Sequence, residues 1–357
     1  MGRIMVKVTK EATIVDIARR LGVSAMTVSR ALTGHSEVSD GTRTKVIRCA
    51  REMGYKPNRW ARSLVTRKTS IIGVVFPDIS HSFFAEVLRG IEEVVHEAGF
   101  NLLLCDSWLD ADKERSEIEM LVGSRVEGLI VASEQSEKSP QTFARLKQRG
   151  MPVVLVDRFF PGFEIPSVLV DDLEVGRMAT DHLLELGHRR IAHIRGPEIS
   201  PASLRYRGYL KALRARGIRV QRRWIVRGGF DIQSGREAMN SLLALKPRPT
   251  AVFAGNDPMA IGAVYACRDA GLCVPGDLSI VGAGNIEGAH HPNPFLTTID
   301  WPRVDLGRAA GALLLSAIKS PTDRTVEVKV FPPRLLIRQS TGLISGTGYS
   351  TSKFIQP

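Results

Sequence analysis

Residues that staple or anchor a chain are scarce in this sequence. Its 357 residues include only four cysteines, Cys49, Cys105, Cys267 and Cys273. They stand far apart or in apolar helical contexts, without metal-ligand spacing, so buried free thiols are expected. No apolar run approaches the ~20 residues of a membrane span. The opening text MGRIMVKVTKEAT lacks the apolar stretch of a secretory signal, which predicts a cytoplasmic protein. Catalytic patterns are missing too: there is no Gly-x-Ser-x-Gly and no Cys–His arrangement. His290 and His291 precede Pro292 in a loop with no evident metal-ligand partner, and His182, His188 and His193 fall near one helix and strand, where packing is expected. No catalytic residue, metal or cofactor is therefore assigned. Acidic residues are thin in one region: residues 1–69 hold 5 Asp and Glu against 15 Lys and Arg, which leaves the other 288 residues nearly neutral in a chain of net charge +12.

That basic region begins with TIVDIARRLGVSAMTVSRAL, residues 13–32. Ile14, Ile17, Ala18 and Leu21 take the i, i+3, i+4, i+7 spacing of one buried helix face. Thr13 with Asp16 three residues on predicts a capping box, and Gly22 supplies the left-handed residue that ends the helix. Ser24 caps a second helix that buries Val28, Ala31 and Leu32 and turns Ala25, Met26, Ser29 and Arg30 outward. A third helix opens at Ser39 and carries Val46, Cys49, Ala50 and Met53 inward. Three short helices with tight turns make a helix-turn-helix unit, and its block of positive charge fits a phosphate-binding footprint on DNA. Pro57 then breaks the helix, and NRWARSL is too short to hold a helix in water unaided, which predicts a hinge.

From Ser70 the pattern alternates strand and helix, IIGVVF then FFAEVLRGIEEVVHEAG and onward, through two successive series. This order predicts parallel sheets in two doubly wound subdomains. The turns at Pro77-Asp78, Asp157-Arg158, Gly196-Pro197, Phe230-Asp231, Asn256-Asp257 and Gly284-Asn285 follow strands, and so fall where open α/β sheets bind ligands. The expected domains are a headpiece over 12–56, a hinge over 57–69, a core over 70–342 and a flexible tail over 343–357. Within the core, the first subdomain is expected to take about 70–168 and 302–325, the second about 169–301 and 326–342.

With VSAMTVSRAL, VSDGTRTKVIRCAREMGYKPNRWARSL, IGVVFPDISHSFFAEVLRGIE, VDDLEVGRMATDHLLELGHRRIAHI, AVFAGNDPMAIGA and VPGDLSIVGAG in this order, residues 12–342 resemble the lactose-repressor (LacI/GalR) family of bacterial transcription regulators. The text around Met26 is nearest to gluconate-type repressors. The resemblance implies a homodimer with an N-terminal headpiece on palindromic double-stranded DNA. It also implies a periplasmic-binding-protein-like core holding a small effector, a sugar or nucleobase-like molecule. Residue by residue, it puts base reading on Ala25 and Met26, with Arg30 one turn later able to grip guanine through O6 and N7. Leu64 takes the place of the minor-groove wedge. Ser24, Thr27, Ser29, Asn58, Ala61 and Arg62 would serve phosphates or hinge geometry. In the core it puts effector contacts on Phe83, Phe84, Asp157, Arg205, Phe230, Asn256 and Asp257. The family's Gly-aromatic-Asp-Asp run reads Gly282-Ala283-Gly284-Asn285 here, so Asn285 stands among the effector residues while the effector-binding aspartate is replaced.

Two other classes and one further motif compete with this reading. A sugar-transport receptor shares the core but would need an export signal and would carry no basic headpiece. An enzyme lacks a convergent catalytic set. A dinucleotide-binding loop at Gly282-Ala283-Gly284 has the wrong spacing. The expected function is an effector-controlled transcriptional repressor, with an activator as the alternative. The missing aspartate, with Arg205 still present, suggests a sugar acid whose carboxylate Arg205 holds. The tail GLISGTGYSTSKFIQP has no leucine heptad, which predicts a dimer without a tetramerising helix.

Overall fold

Thr13 folds the head of the chain as its sequence implies. Its hydroxyl accepts from the Asp16 backbone while Asp16 returns a bond to Thr13, closing a capping box on α1 (Ile14–Leu21), and Gly22 ends the helix at φ 66°. Ser24 accepts from Thr27 N at 3.0 Å and starts α2 (Ala25–Leu32); Ser39 caps α3 (Asp40–Glu52). Ile17, Val28 and Val46 are fully buried at the centre of the three helices. The computed structural model describes residues 12–32, 36–55, 68–135, 140–286, 294–320 and 326–344. The chain divides into two compact units at residues 69 and 70. Asn58, Ala61, Arg62 and Leu64 lie outside the described residues, as do His290, His291 and residues 345–357.

The second unit contains two six-stranded sheets. The first takes β1 (Ile71–Phe76), β2 (Asn101–Asp106), β3 (Gly128–Val131), β4 (Val153–Val156), β5 (Ser167–Val170) and, from far along the chain, β11 (Val328–Phe331). Its order is β11-β5-β4-β3-β1-β2, parallel throughout. The second takes β6 (Ile191–Arg195), β7 (Ile225–Arg227), β8 (Ala251–Ala254), β9 (Ser279–Ala283), β10 (Thr297–Asp300) and β12 (Arg334–Leu336), in the order β12-β10-β9-β8-β6-β7. Only β12 runs antiparallel to its neighbour. Central strands such as β3, β4 and β8 are buried along their whole length, as sheets covered on both faces require.

Helices α4 (Ser82–Glu97), α5 (Ala111–Gly123), α6 (Gln141–Gln148) and α11 (Arg303–Lys319) cover the first sheet. Helices α7 (Asp172–Glu185), α8 (Ser200–Ala215), α9 (Ile232–Leu243) and α10 (Asp257–Asp269) cover the second. The chain passes between subdomains after β5, after β10 and after β11. This corrects one expected boundary: residues 328–331 belong to the first subdomain, because β11 pairs with β5, and the last crossing falls between Phe331 and Arg334. The strand sits at a sheet edge, where Val328 and Val330 are half exposed, so its text lacks the unbroken apolar run of a central parallel strand. The cysteine expectation also needs one change. Cys49, Cys105 and Cys267 are buried free thiols, but Cys273 is exposed.

Candidate functional site

Two surfaces follow from these elements. On the headpiece, α2 presents Met26, 62% exposed, and the exposed Arg30. Ala25 and Ser29 are half-buried, Ala25 against the three-helix core. Arg30 is held from the loop after α2, where Glu37 Oε2 accepts from its Nη1 at 2.5 Å. Ser24 and Thr27 share a hydroxyl–hydroxyl bond of 2.8 Å at the start of the helix. The pair Met26 and Arg30 lies one turn apart on the helix the sequence assigned to base reading.

The second surface is a cavity of about 170 Å³ at the carboxyl ends of both sheets. From the first subdomain come Phe83 and Phe84 on α4, with Asp157 and Arg158 after β4. From the second come Arg205 on α8, Phe230 after β7 and Asn256 before α10, with Trp301 on the crossing between β10 and α11. Phe83 meets Phe84 edge-on at 4.9 Å and Trp301 at 6.4 Å between ring centroids. The Phe159 amide after β4 donates to Ser200 Oγ at 3.1 Å, a direct bond between the subdomains beside the cavity.

Arg205 reaches this wall because α7 and α8 pack closely. A Cβ at Gly176 would overlap the Arg205 carbonyl, and one at Gly208 would overlap that of Leu173. The close approach lets Arg205 donate from Nε to Asp172 Oδ1 at 2.7 Å and from Nη1 to Gly255 O at 2.8 Å, while its guanidinium lies 5.1 Å from the centre of the Trp301 ring. Burial pushes the Asp172 carboxyl up to about 6 against the pull of that arginine. Asp157 is also raised by desolvation, and Arg158 and Arg205 only partly offset it. His81, whose Nδ1 accepts from Phe83 N at 3.2 Å, is lowered by its burial. The indole N–H of Trp301 is a buried donor with no hydrogen-bond partner among the described residues, while Arg158 is paired with Glu134 at 2.5 Å and with Asp157 at 3.6 Å.

Backbone strain gathers at the same place. Asp157 and Phe230 hold φ values of 68° and 70°, uncommon for residues with a side chain. Asn256 supports Phe230: its Nδ2 donates to Phe230 O at 2.9 Å while its Oδ1 caps α10 by accepting from Met259 N at 3.0 Å.

Six of the eight effector residues expected from sequence therefore line one cavity: Phe83, Phe84, Asp157, Arg205, Phe230 and Asn256. Asp257 and Asn285 do not. Asp257 accepts from Thr298 Oγ1 at 2.6 Å and from Ile286 N at 2.9 Å, so it buckles the loop after β9 onto the sheet. Asn285 turns away and accepts from Arg338 Nη2 at 2.6 Å. The sequence also passed over lining residues. Asp78, Arg158 and Asp231 are the partners within strand-end pairs it had singled out, whereas Trp301 follows a strand, LTTID, whose end had not been considered.

Comparison with known proteins identifies the family. A family model described as bacterial regulatory proteins, lacI family, matches residues 13–58, and a periplasmic binding protein-like domain matches residues 180–341. The HTH-type transcriptional repressor PurR of Pectobacterium carotovorum subsp. carotovorum (strain PC1) is 39% identical over 324 residues, covering 90% of this chain and 94% of its own. The lac repressor dimer bound to operator and an anti-inducer superposes with a TM-score of 0.83 at 27% identity, covering 93% of this chain and 100% of that one. A complex of the transcriptional regulator CelR with cellobiose has a TM-score of 0.70 at 31% identity, over 92% and 99% of the two chains. Among the described residues no helix is long and apolar enough to cross a membrane. The three-helix headpiece, the two-sheet core and the extent of these matches place the chain in the LacI family of bacterial regulatory proteins, as a DNA-binding transcriptional regulator controlled by a small molecule held in its core.

Proposed function

We propose that the protein is a non-catalytic, homodimeric repressor of the cytoplasm, and that its effector is a neutral, monosaccharide-sized ring bearing several hydroxyls. In this reading the dimer binds a palindromic duplex. Ala25, Met26 and Arg30 face base edges, Ser24, Thr27, Ser29, Asn58, Ala61 and Arg62 serve phosphates or the hinge, and Leu64 wedges the minor groove. The effector contacts Phe83, Phe84, Asp157, Arg205, Phe230 and Asn256.

The observation that carries the choice of effector is the engagement of Arg205 by Asp172 at 2.7 Å. A guanidinium whose charge is already balanced offers little to an effector carboxylate. The wall adds the carboxyls of Asp78, Asp157 and Asp231, which an acid would have to approach. Hydroxyls suit the site better, since they accept from the Trp301 donor and donate to the carboxyls, while the aromatic rings cover apolar C–H faces. The volume of about 170 Å³ lies below the roughly 300–1,000 Å³ of drug-sized pockets, which favours one ring over two. This departs from the sugar acid that the sequence suggested.

The two subdomains both line the cavity, so a ligand that fits one relative orientation better shifts the protein toward it; equal affinity for both would shift nothing. Calorimetric titration of the full-length protein with glucose, ribose, gluconate and ribonate separates the readings. Binding of a neutral sugar, weakened at least tenfold by Asp157→Asn, is expected. Binding of an acid alone, lost in Arg205→Met, overturns the neutral-effector reading.

A further inference from the structure

The end of the second sheet opposite the cavity carries a charge pattern that neither effector binding nor the helix-turn-helix accounts for. The effector residues follow the carboxyl ends of the strands. At the amino ends, the connections entering three adjacent strands are all basic: HRR before β6, ARGIRVQRR before β7 and KPR before β8. These strands are neighbours in the sheet order β8-β6-β7, and neighbouring strands lie about 4.8 Å apart, so the three connections form one rim. Two bonds tie it together: Arg190 Nε donates to Arg248 O, and Arg223 Nη1 donates to Lys246 O, each at 3.1 Å. Arg219, Arg222 and Arg223 are exposed. Residues 186–190, 215–224 and 244–250 contain no Asp or Glu, and among the described residues no acidic side chain forms an ion pair with the rim's cations. In residues 70–357, whose net charge is only +2, this concentrates eight positive charges on one pole.

We infer that this rim is a second, sequence-independent DNA-binding surface that contacts the phosphate backbone of a duplex other than the one on the headpiece. Seven of its eight cations are arginines, whose planar forks match phosphate oxygens two at a time. No large hydrophobic side chain in the three connections is exposed, so the rim lacks the apolar anchors around which protein–protein interfaces concentrate their energy. A phosphate backbone needs no such anchor, because affinity comes from counterion release. Two duplexes held by one molecule would bring separate DNA segments together without a tetramerising helix.

The test is bridging by the full-length protein. A duplex obtained by in vitro selection against the protein is fixed on beads and saturated with protein, and capture of a labelled 40-base-pair duplex of unrelated sequence is followed between 50 and 200 mM salt. The variant Arg216→Gln/Arg219→Gln/Arg222→Gln removes three exposed cations without touching the headpiece. Wild type is expected to capture the second duplex, and the variant to lose at least tenfold of that capture while binding the fixed duplex unchanged. Neutralising three phosphate contacts predicts a log–log salt slope shallower by roughly 3. Equal capture by wild type and variant, or no capture by wild type, overturns the inference. Capture of poly-L-glutamate but not of the second duplex overturns it in favour of an acidic protein partner.

Discussion

Arg205 Nε and Asp172 Oδ1 meet at 2.7 Å with both side chains at least 94% buried, joining α8 to the first turn of α7. The pair sets the arginine against Trp301 and carries the wall of the cavity. Breaking a buried pair by removing one partner typically costs about 3–5 kcal/mol, because the other charge is left uncompensated. Arg205→Met and Asp172→Asn should each destabilise the core by that order. The double variant should lose clearly less than the sum of the two. Urea unfolding of all four proteins gives the coupling; strictly additive losses would show that the two side chains do not act as a pair.

His193 gives a pH dependence. It stacks against Tyr206, Tyr209 and Phe253, its Nδ1 donates to Phe253 O at 2.9 Å, and burial pushes its pKa down to about 4. The unfolded state takes up a proton near pH 6.5 while the folded state resists, so stability is lost as pH falls from 6.5 toward 4, by about 3 kcal/mol for this group. Asp172 opposes this: its raised pKa of about 6 favours the folded state as pH falls through the same range. His193→Phe removes only the first contribution. Chemical denaturation at pH 7.0, 5.5 and 4.5 should therefore show the variant losing less stability on acidification than wild type, and parallel curves would remove His193 as a source of acid sensitivity.

At Gly284, where the resemblance to the family implies an effector-binding aspartate, the φ of 126° is a conformation that side chains rarely adopt. Its carbonyl accepts from Arg303 Nη1 at 2.6 Å, which links the loop after β9 to α11. Restoring the carboxylate by Gly284→Asp should thus destabilise the ligand-free protein by about 1–3 kcal/mol and add another negative charge beside the cavity. A thermal melt shows the outcome: an unchanged or raised midpoint would mean that the loop relaxes without cost.

Arg30 and Glu37 form another pair with a testable consequence. An exposed ion pair contributes little stability, but Glu37 can orient the guanidinium that is proposed to read a base. Arg30→Ala should weaken binding to the selected duplex by about 1–3 kcal/mol and relax one base position. Glu37→Gln should change binding to that duplex with little effect on stability. Fluorescence anisotropy on the selected duplex and its single-base variants decides; an equal loss on random DNA would take Arg30 out of the base-reading set.

The local elements were legible in the residues that begin and end them. Thr13, Gly22, Ser24 and Ser39 set the headpiece helices through side-chain caps and one left-handed backbone, features that depend on neighbours a few positions away. The cavity was legible in part, because strand ends in a doubly wound sheet share one side. Asp257 and Asn285 do not line the cavity because adjacency to a strand end does not fix side-chain direction; Thr298 and Arg338, 41 and 53 residues away, turn them aside. Trp301 and β11 depend on crossings between subdomains, and such pairings over long stretches of chain leave little periodic trace in the local sequence.

The central claim is that a small molecule in the core changes the affinity of the headpiece for DNA. Anisotropy titration of full-length protein on the selected duplex, with and without a neutral sugar that calorimetry shows to bind, tests it most directly. The account predicts at least a fivefold change in Kd, equivalent to about 1 kcal/mol of coupling, and loss of that change in Asp157→Asn with DNA affinity in the absence of sugar preserved. A sugar that occupies the cavity and leaves Kd unchanged would contradict it.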